Sequence, residues 1–178
     1  MKSEMSLKAL LALMASATVL LLAILAGTGL FEFKRMTDDV AQNHVMVEQL
    51  ARFNNAIQSA NLHFKIQVQD WKNILLRGND AGMYAKYTQA FDSEDAQVDA
   101  LLKEAVEEAR RTGLPFEPVV AMLNEHTQLR TNYLDALNQF HQDDPAAGKK
   151  VDALVRGVDR ALTSNMETLS QQIGIQFA

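Results

Sequence analysis

Three polar side chains stand in an otherwise apolar row: His126, Arg130 and Tyr133, set among Val119, Leu123, Leu137 and Phe140 at spacings of three and four. On a helix that spacing puts all seven on one face. A guanidinium on a face meant for an interior is costly unless it is paired. Its partner is either a carboxylate of the protein or an anionic ligand. Arginine grips a carboxylate through two parallel hydrogen bonds, and a neighbouring Tyr or His completes such a site. The chemistry expected of this trio is recognition of a small carboxylate. The competing arrangement turns the helix slightly, places Val120, Leu134 and Leu137 inside, and lets Arg130 reach the rim.

Arg77 is a second cation of interest, because Tyr84 and Tyr87 follow it across a turn marked by Gly78-Asn79-Asp80. The plain alternative is a helix-terminal cation facing the helix dipole. His63 and His126 fall at similar heights if the helices pair regularly, but no third ligand accompanies them, so no metal is expected. No cofactor is expected either. The chain has no cysteine, no Gly-rich phosphate loop and no H-E-x-x-H, and its acidic residues scatter over helix surfaces. Catalysis is not expected. A net charge of −5 without a basic patch argues against nucleic acid as a partner.

The elements that would hold these residues are helices. Phe33, Met36, Val40, Val47, Leu50, Ile57, Phe64, Val68, Trp71 and Leu75 all fall at positions a or d of one heptad register, with Asn43, Asn54 and Asn61 filling skipped places. Amides in such a seam select register or partner, which predicts a homodimer through this helix. Trp71 lies on this stripe and so belongs to a core. It joins Arg130, Tyr133, His126 and Arg77 among the candidate ligand-binding residues. A second helix carries Tyr84, Tyr87, Phe91, Val98, Leu101 and Ala105 and stops at Arg110-Arg111-Thr112-Gly113. A third begins near Pro115 and runs to about Gln142, and a fourth holds Val151, Val155, Val158, Leu162, Leu169 and Ile173. The fold class is all-α, an antiparallel four-helix bundle with short loops.

Ala9 to Phe31 is a run of 23 residues without a charge, rich in Leu, Ala, Val, Ile and Met. At about 1.5 Å of rise per residue it crosses a hydrocarbon core of about 30 Å. A secretory signal competes for this segment, since Lys2 and Lys8 precede it and small residues end it. The run is too long for such a signal and offers no small-x-small cleavage site before Phe31, so it is expected to remain as an anchor. Lys2 and Lys8 on one side and Lys34 and Arg35 on the other leave orientation open. The organisation expected is residues 1–8 outside the membrane, 9–31 a transmembrane helix, and 32–178 the bundle, which the first helix enters directly.

The segment FKIQVQDWKNILLRGND, followed by YAKY and AF, resembles the sensor regions of bacterial methyl-accepting chemotaxis proteins. HTQLRTNYLDAL and GKKVDALVRGVDR resemble later stretches of the same family at matching distances, so the likeness covers most of residues 1–165. The resemblance implies a periplasmic four-helix-bundle sensor, anchored in the inner membrane by its first helix with residues 1–8 cytoplasmic, paired as a homodimer and binding a small molecule. In aspartate and serine receptors, arginines of the first helix hold the ligand carboxylate at the dimer interface. The motif around Arg77 is not theirs, so that role does not carry over. In such receptors a second transmembrane helix, a HAMP linker and a methylated coiled coil follow, whereas this sequence ends at Ala178 before a second hydrophobic run. The expectation is a sensor-bearing portion of a longer receptor, or a stand-alone relative. The readings that compete with it are a membrane-anchored helical scaffold and the input module of a sensor kinase or cyclase.

Overall fold

The computed structural model describes residues 7–176, which form five helices and, among those residues, no strand. The first helix, α1 (Leu7–Arg77), is 71 residues long. It enters both of the units into which the chain divides, Met1–Val47 and Glu48–Ala178.

In the first unit α1 is the one helix among the described residues long and apolar enough to cross a membrane, and none of its most apolar stretch is buried by protein. The three hydroxyls of the uncharged run are turned back on the helix: Ser16 donates to the Leu13 carbonyl at 2.9 Å, Thr18 to Met14 at 2.9 Å and Thr28 to Leu25 at 3.0 Å. A hydroxyl satisfied by its own helix needs no water, which suits a hydrocarbon surrounding. Phe33, Met36, Val40 and Val47 are exposed.

The second unit holds the core. Here α1 buries Leu50, Ile57, Phe64, Val68, Trp71 and Leu75, as the heptad reading predicts, and also Phe53, Ala60, Gln67 and Ile74, each seven residues from the next. The buried face is thus wider than an a/d seam. A helix enclosed by two neighbours requires that width. Gly78 ends α1 by donating its N–H to the Ile74 carbonyl at 2.8 Å. A Cβ at this position would press on that carbonyl and on the Phe140 ring, which explains why glycine stands where the sequence reads Arg-Gly.

Asp80 caps α2 (Ala81–Thr112) by accepting from the Met83 N–H at 2.9 Å, and Gly113 closes it with a φ of 73°. Pro118 lies in the first turn of α3 (Glu117–Leu137). This helix stops before the predicted Gln142, because the chain turns at 138–140 and folds Phe140 back to stack on Tyr84, with ring centroids 5.7 Å apart. The predicted fourth helix is two helices, α4 (Ala147–Val155) and α5 (Arg160–Gln176). Arg156 is extended and Gly157 takes a φ of 81°, a conformation that ends the first piece. The apolar spacing runs unbroken across the gap because Val151, Val155 and Leu162 all enter the same core.

Cross-helix bonds set the order of the bundle. Gln67 of α1 bonds to Asp95 of α2, Arg130 of α3 to Asp92 of α2, and Asn165 of α5 to Glu125 of α3. Ser170 of α5 closes the ring by donating to Asn54 Oδ1 of α1 at 2.8 Å. Around the antiparallel bundle α2 thus lies beside α1 and α3, and α5 beside α3 and α1.

Candidate functional site

The sequence-marked residues fall in two places. Trp71 of α1, Phe91 of α2 and Tyr133 of α3 form an aromatic layer: the Trp71 and Tyr133 centroids are 4.6 Å apart, and Phe91 lies 6.1 Å from Trp71 and 5.8 Å from Tyr133. Trp71 is 3 % exposed and Tyr133 2 %. Burial pushes the Tyr133 phenol well above its ordinary value, and the charges of Asp159 and Asp152 add to that. It stays protonated at any physiological pH. The layer is packed interior.

One turn along α1 and α3 lies a polar layer that joins three helices. Gln67 Nε2 donates to Asp95 Oδ1 at 2.9 Å, and Gln67 Oε1 is 3.1 Å from His126 Nε2. Asp95 Oδ1 is also 3.4 Å from that nitrogen. Asp95 Oδ2 lies 2.7 Å from Arg130 Nε, and an Arg130 terminal nitrogen donates to Asp92 Oδ1 at 3.2 Å. Arg130 thus meets protein carboxylates, with its side chain 41 % exposed at the rim. The residues buried beside it on α3 are Met122, Leu129 and Ala136, while Val120 and Leu134 are half-buried. Burial lowers the affinity of His126 for a proton, Asp95 and Asp99 pull the other way, and Arg130 lowers it further.

Arg77 takes no part in either layer. It is exposed, donates to the Tyr87 hydroxyl at 2.7 Å and covers that ring at 5.6 Å. His63 pairs with Glu94 at 2.7 Å, apart from His126. Among the described residues no three potential ligands converge on a metal position.

Gln67 and Asp95 escape a reading confined to one heptad seam. Both carry a usable signal: Gln67 is seven residues from Ala60 and Ile74, and Asp95 stands between Phe91 and Val98 on the apolar face of α2. A further feature lies on the α1–α5 side. A cavity of about 430 Å³ is bounded by Lys65, Lys72, Asp159, Arg160, Thr163 and Glu167 among others. Lys65 pairs with Glu167 at 2.8 Å, whereas Lys72 and Arg160 have no ion pair among the described residues.

An all-α bundle entered by a long helix with an apolar first part is the class that these observations define. The chain is similar to the methyl-accepting chemotaxis protein CtpH of Pseudomonas aeruginosa, with 34 % identity over 143 residues. That match takes in 79 % of this chain and 24 % of CtpH, so the chain spans about a quarter of the length of this relative. No protein-family profile matches the chain, and no solved structure does.

Proposed function

We propose that this chain is the ligand-sensing region of a membrane-anchored chemoreceptor, with its bundle on the periplasmic side of a bacterial inner membrane. The observation that carries the reading is the extended identity with a methyl-accepting chemotaxis protein over most of this chain. The uncharged, internally satisfied start of α1 supports an anchor. Sensing in such a protein is a difference in affinity: a ligand stabilises one packing of the helices, and the bias passes along α1 to the membrane.

The ligand proposed is a small carboxylate. The Arg130 rim offers a guanidinium whose two aspartates a ligand must share or displace. The cavity beside Lys72 and Arg160 offers two cations that no carboxylate holds in an ion pair among the described residues. The test is a thermal-shift screen of organic acids and amino acids on the full chain in detergent, with calorimetry on any hit. A ligand at about 100 times its Kd adds about 2.7 kcal/mol. Arg130→Ala abolishes the shift if the ligand sits mid-bundle, Lys72→Ala if it sits in the cavity, and Arg77→Ala if it sits at the tip. Absence of any binding small molecule refutes direct sensing.

A second reading, assembly with a second copy of the chain, is favoured by the outer face of α1. Leu62, Ile66 and Leu76 are 59 %, 38 % and 77 % exposed, and the residues between them on that face, Gln69 and Asn73, are uncharged. Asn54 does not serve this contact, since it accepts from Ser170 of its own chain.

A further inference from the structure

His126 is 2 % exposed, and Phe64 stands edge-on to its ring with centroids 6.0 Å apart. Both oxygens near Nε2, those of Gln67 and Asp95, are acceptors, so Nε2 carries a hydrogen, and burial favours the neutral ring. A second proton has to go to Nδ1. The groups that act on the ring come from each helix around it. α1 presents Gln67 and Phe64, and α2 presents Asp95 and Asp99, which favour the charge. Arg130 on α3 opposes it, and the adjacent Glu125 is turned to Asn165 of α5.

The layer is balanced for one cation. Asp95 has one oxygen held by Gln67 and the other by Arg130. A charged imidazole would bring a second cation against the same carboxylate, within the 3.4 Å already separating Nε2 from Asp95 Oδ1. We infer that this layer is an acid-responsive latch, in which proton uptake by His126 re-pairs Asp95 from Arg130 to the imidazolium and loosens α3 against α1 and α2. The direction follows from burial. Burial depresses the folded-state proton affinity below the ordinary value of about 6.5, so the unfolded chain binds more protons as pH falls past that value. The stabilisation from neutral His126 is complete above pH about 6.5 and is lost as pH falls through the depressed folded value. The latch is a property of the bundle and does not depend on what the chain signals.

Trp71 is the chain's one tryptophan and stands four residues from Gln67 on α1, which makes it a built-in reporter. The experiment follows histidine ¹⁵N resonances and Trp71 emission of the full chain in nanodiscs from pH 8 to 4.5, with far-UV circular dichroism alongside. The expected result is a His126 ring neutral at pH 7.5, charging below 6.5, with a Trp71 emission change at the same midpoint and helix content kept. His126→Gln abolishes that change. Gln67→Glu adds a second carboxylate beside the ring and raises the midpoint by about one unit or more. The latch is wrong if His126 stays neutral until the helices melt, or if the Trp71 change survives in His126→Gln. Should His126→Gln fail to fold, Gln67→Glu decides, and an unmoved midpoint overturns the inference.

Discussion

Asp95 is the residue on which the polar layer turns, since it accepts from Gln67 of α1 and forms an ion pair with Arg130 of α3 while only 9 % exposed. Replacing it with alanine strands the buried Gln67 amide, while Arg130 keeps Asp92. The loss expected for a stranded buried donor is about 2 kcal/mol. For a chain of this size that lowers Tm by about 4–8 °C, measured by thermal denaturation of the full chain in detergent. Asp92→Ala, at the exposed end of the same guanidinium, lowers Tm by less than half as much. The interior position of Trp71 is legible in the sequence because its spacing to Phe64, Val68 and Leu75 repeats that of a helix face. The partner of Arg130 is not legible. The sequence says that an interior guanidinium needs a carboxylate, but α2 alone supplies Asp92, Glu94, Asp95 and Asp99, and only the packed register selects two of them.

At the scale of elements, the fourth side of the bundle is where sequence and structure part. GKKVDALVRGVDR reads as one helix because its apolar spacing is continuous, and periodicity reports which face is buried without reporting a break whose two halves share that face. The break rests on Gly157, where any side chain must adopt a left-handed φ. Gly157→Ala is expected to cost about 1 kcal/mol. Gly148→Ala is expected to cost more. Its Cβ would meet the backbone carbonyl of Leu75, which no rotamer change relieves, so α4 has to lift from α1. Hydrogen exchange distinguishes the two: Gly148→Ala speeds exchange through Ala147–Val155 and at the end of α1, whereas Gly157→Ala speeds it only around the break. Equal exchange in α4 of the two variants contradicts this account.

At the scale of the whole molecule, the helical class and the number of bundle sides are legible from periodicity, and the membrane anchor is expected from the run Ala9–Phe31. The full chain is expected in the membrane fraction, and a chain beginning near Glu48 in the soluble one. Because the chain has no cysteine, single substitutions report contacts cleanly. If two copies meet through the outer face of α1, cysteines at Leu62, Ile66, Gln69, Asn73 and Leu76 crosslink in membranes while those at His63 and Asp70 do not. Crosslinking that shows no preference among these positions argues against that interface. Leu62 and Ile66 lie outside the heptad seam, and from Leu50 to Leu75 that seam is occupied by the chain's own helices.

The bond from Ser170 to Asn54 joins residues 116 positions apart. It makes the first and last sides of the bundle neighbours, and this sets a schedule. While the chain is being synthesised, the apolar face of α1 between Leu50 and Leu75 stands complete long before α5 exists to cover it. At roughly 5–20 residues per second the wait is on the order of 5–20 s. For that interval Phe53, Phe64 and Trp71 are sheltered on at most three sides, so the emerging chain depends on whatever shields it at the membrane until its last helix arrives.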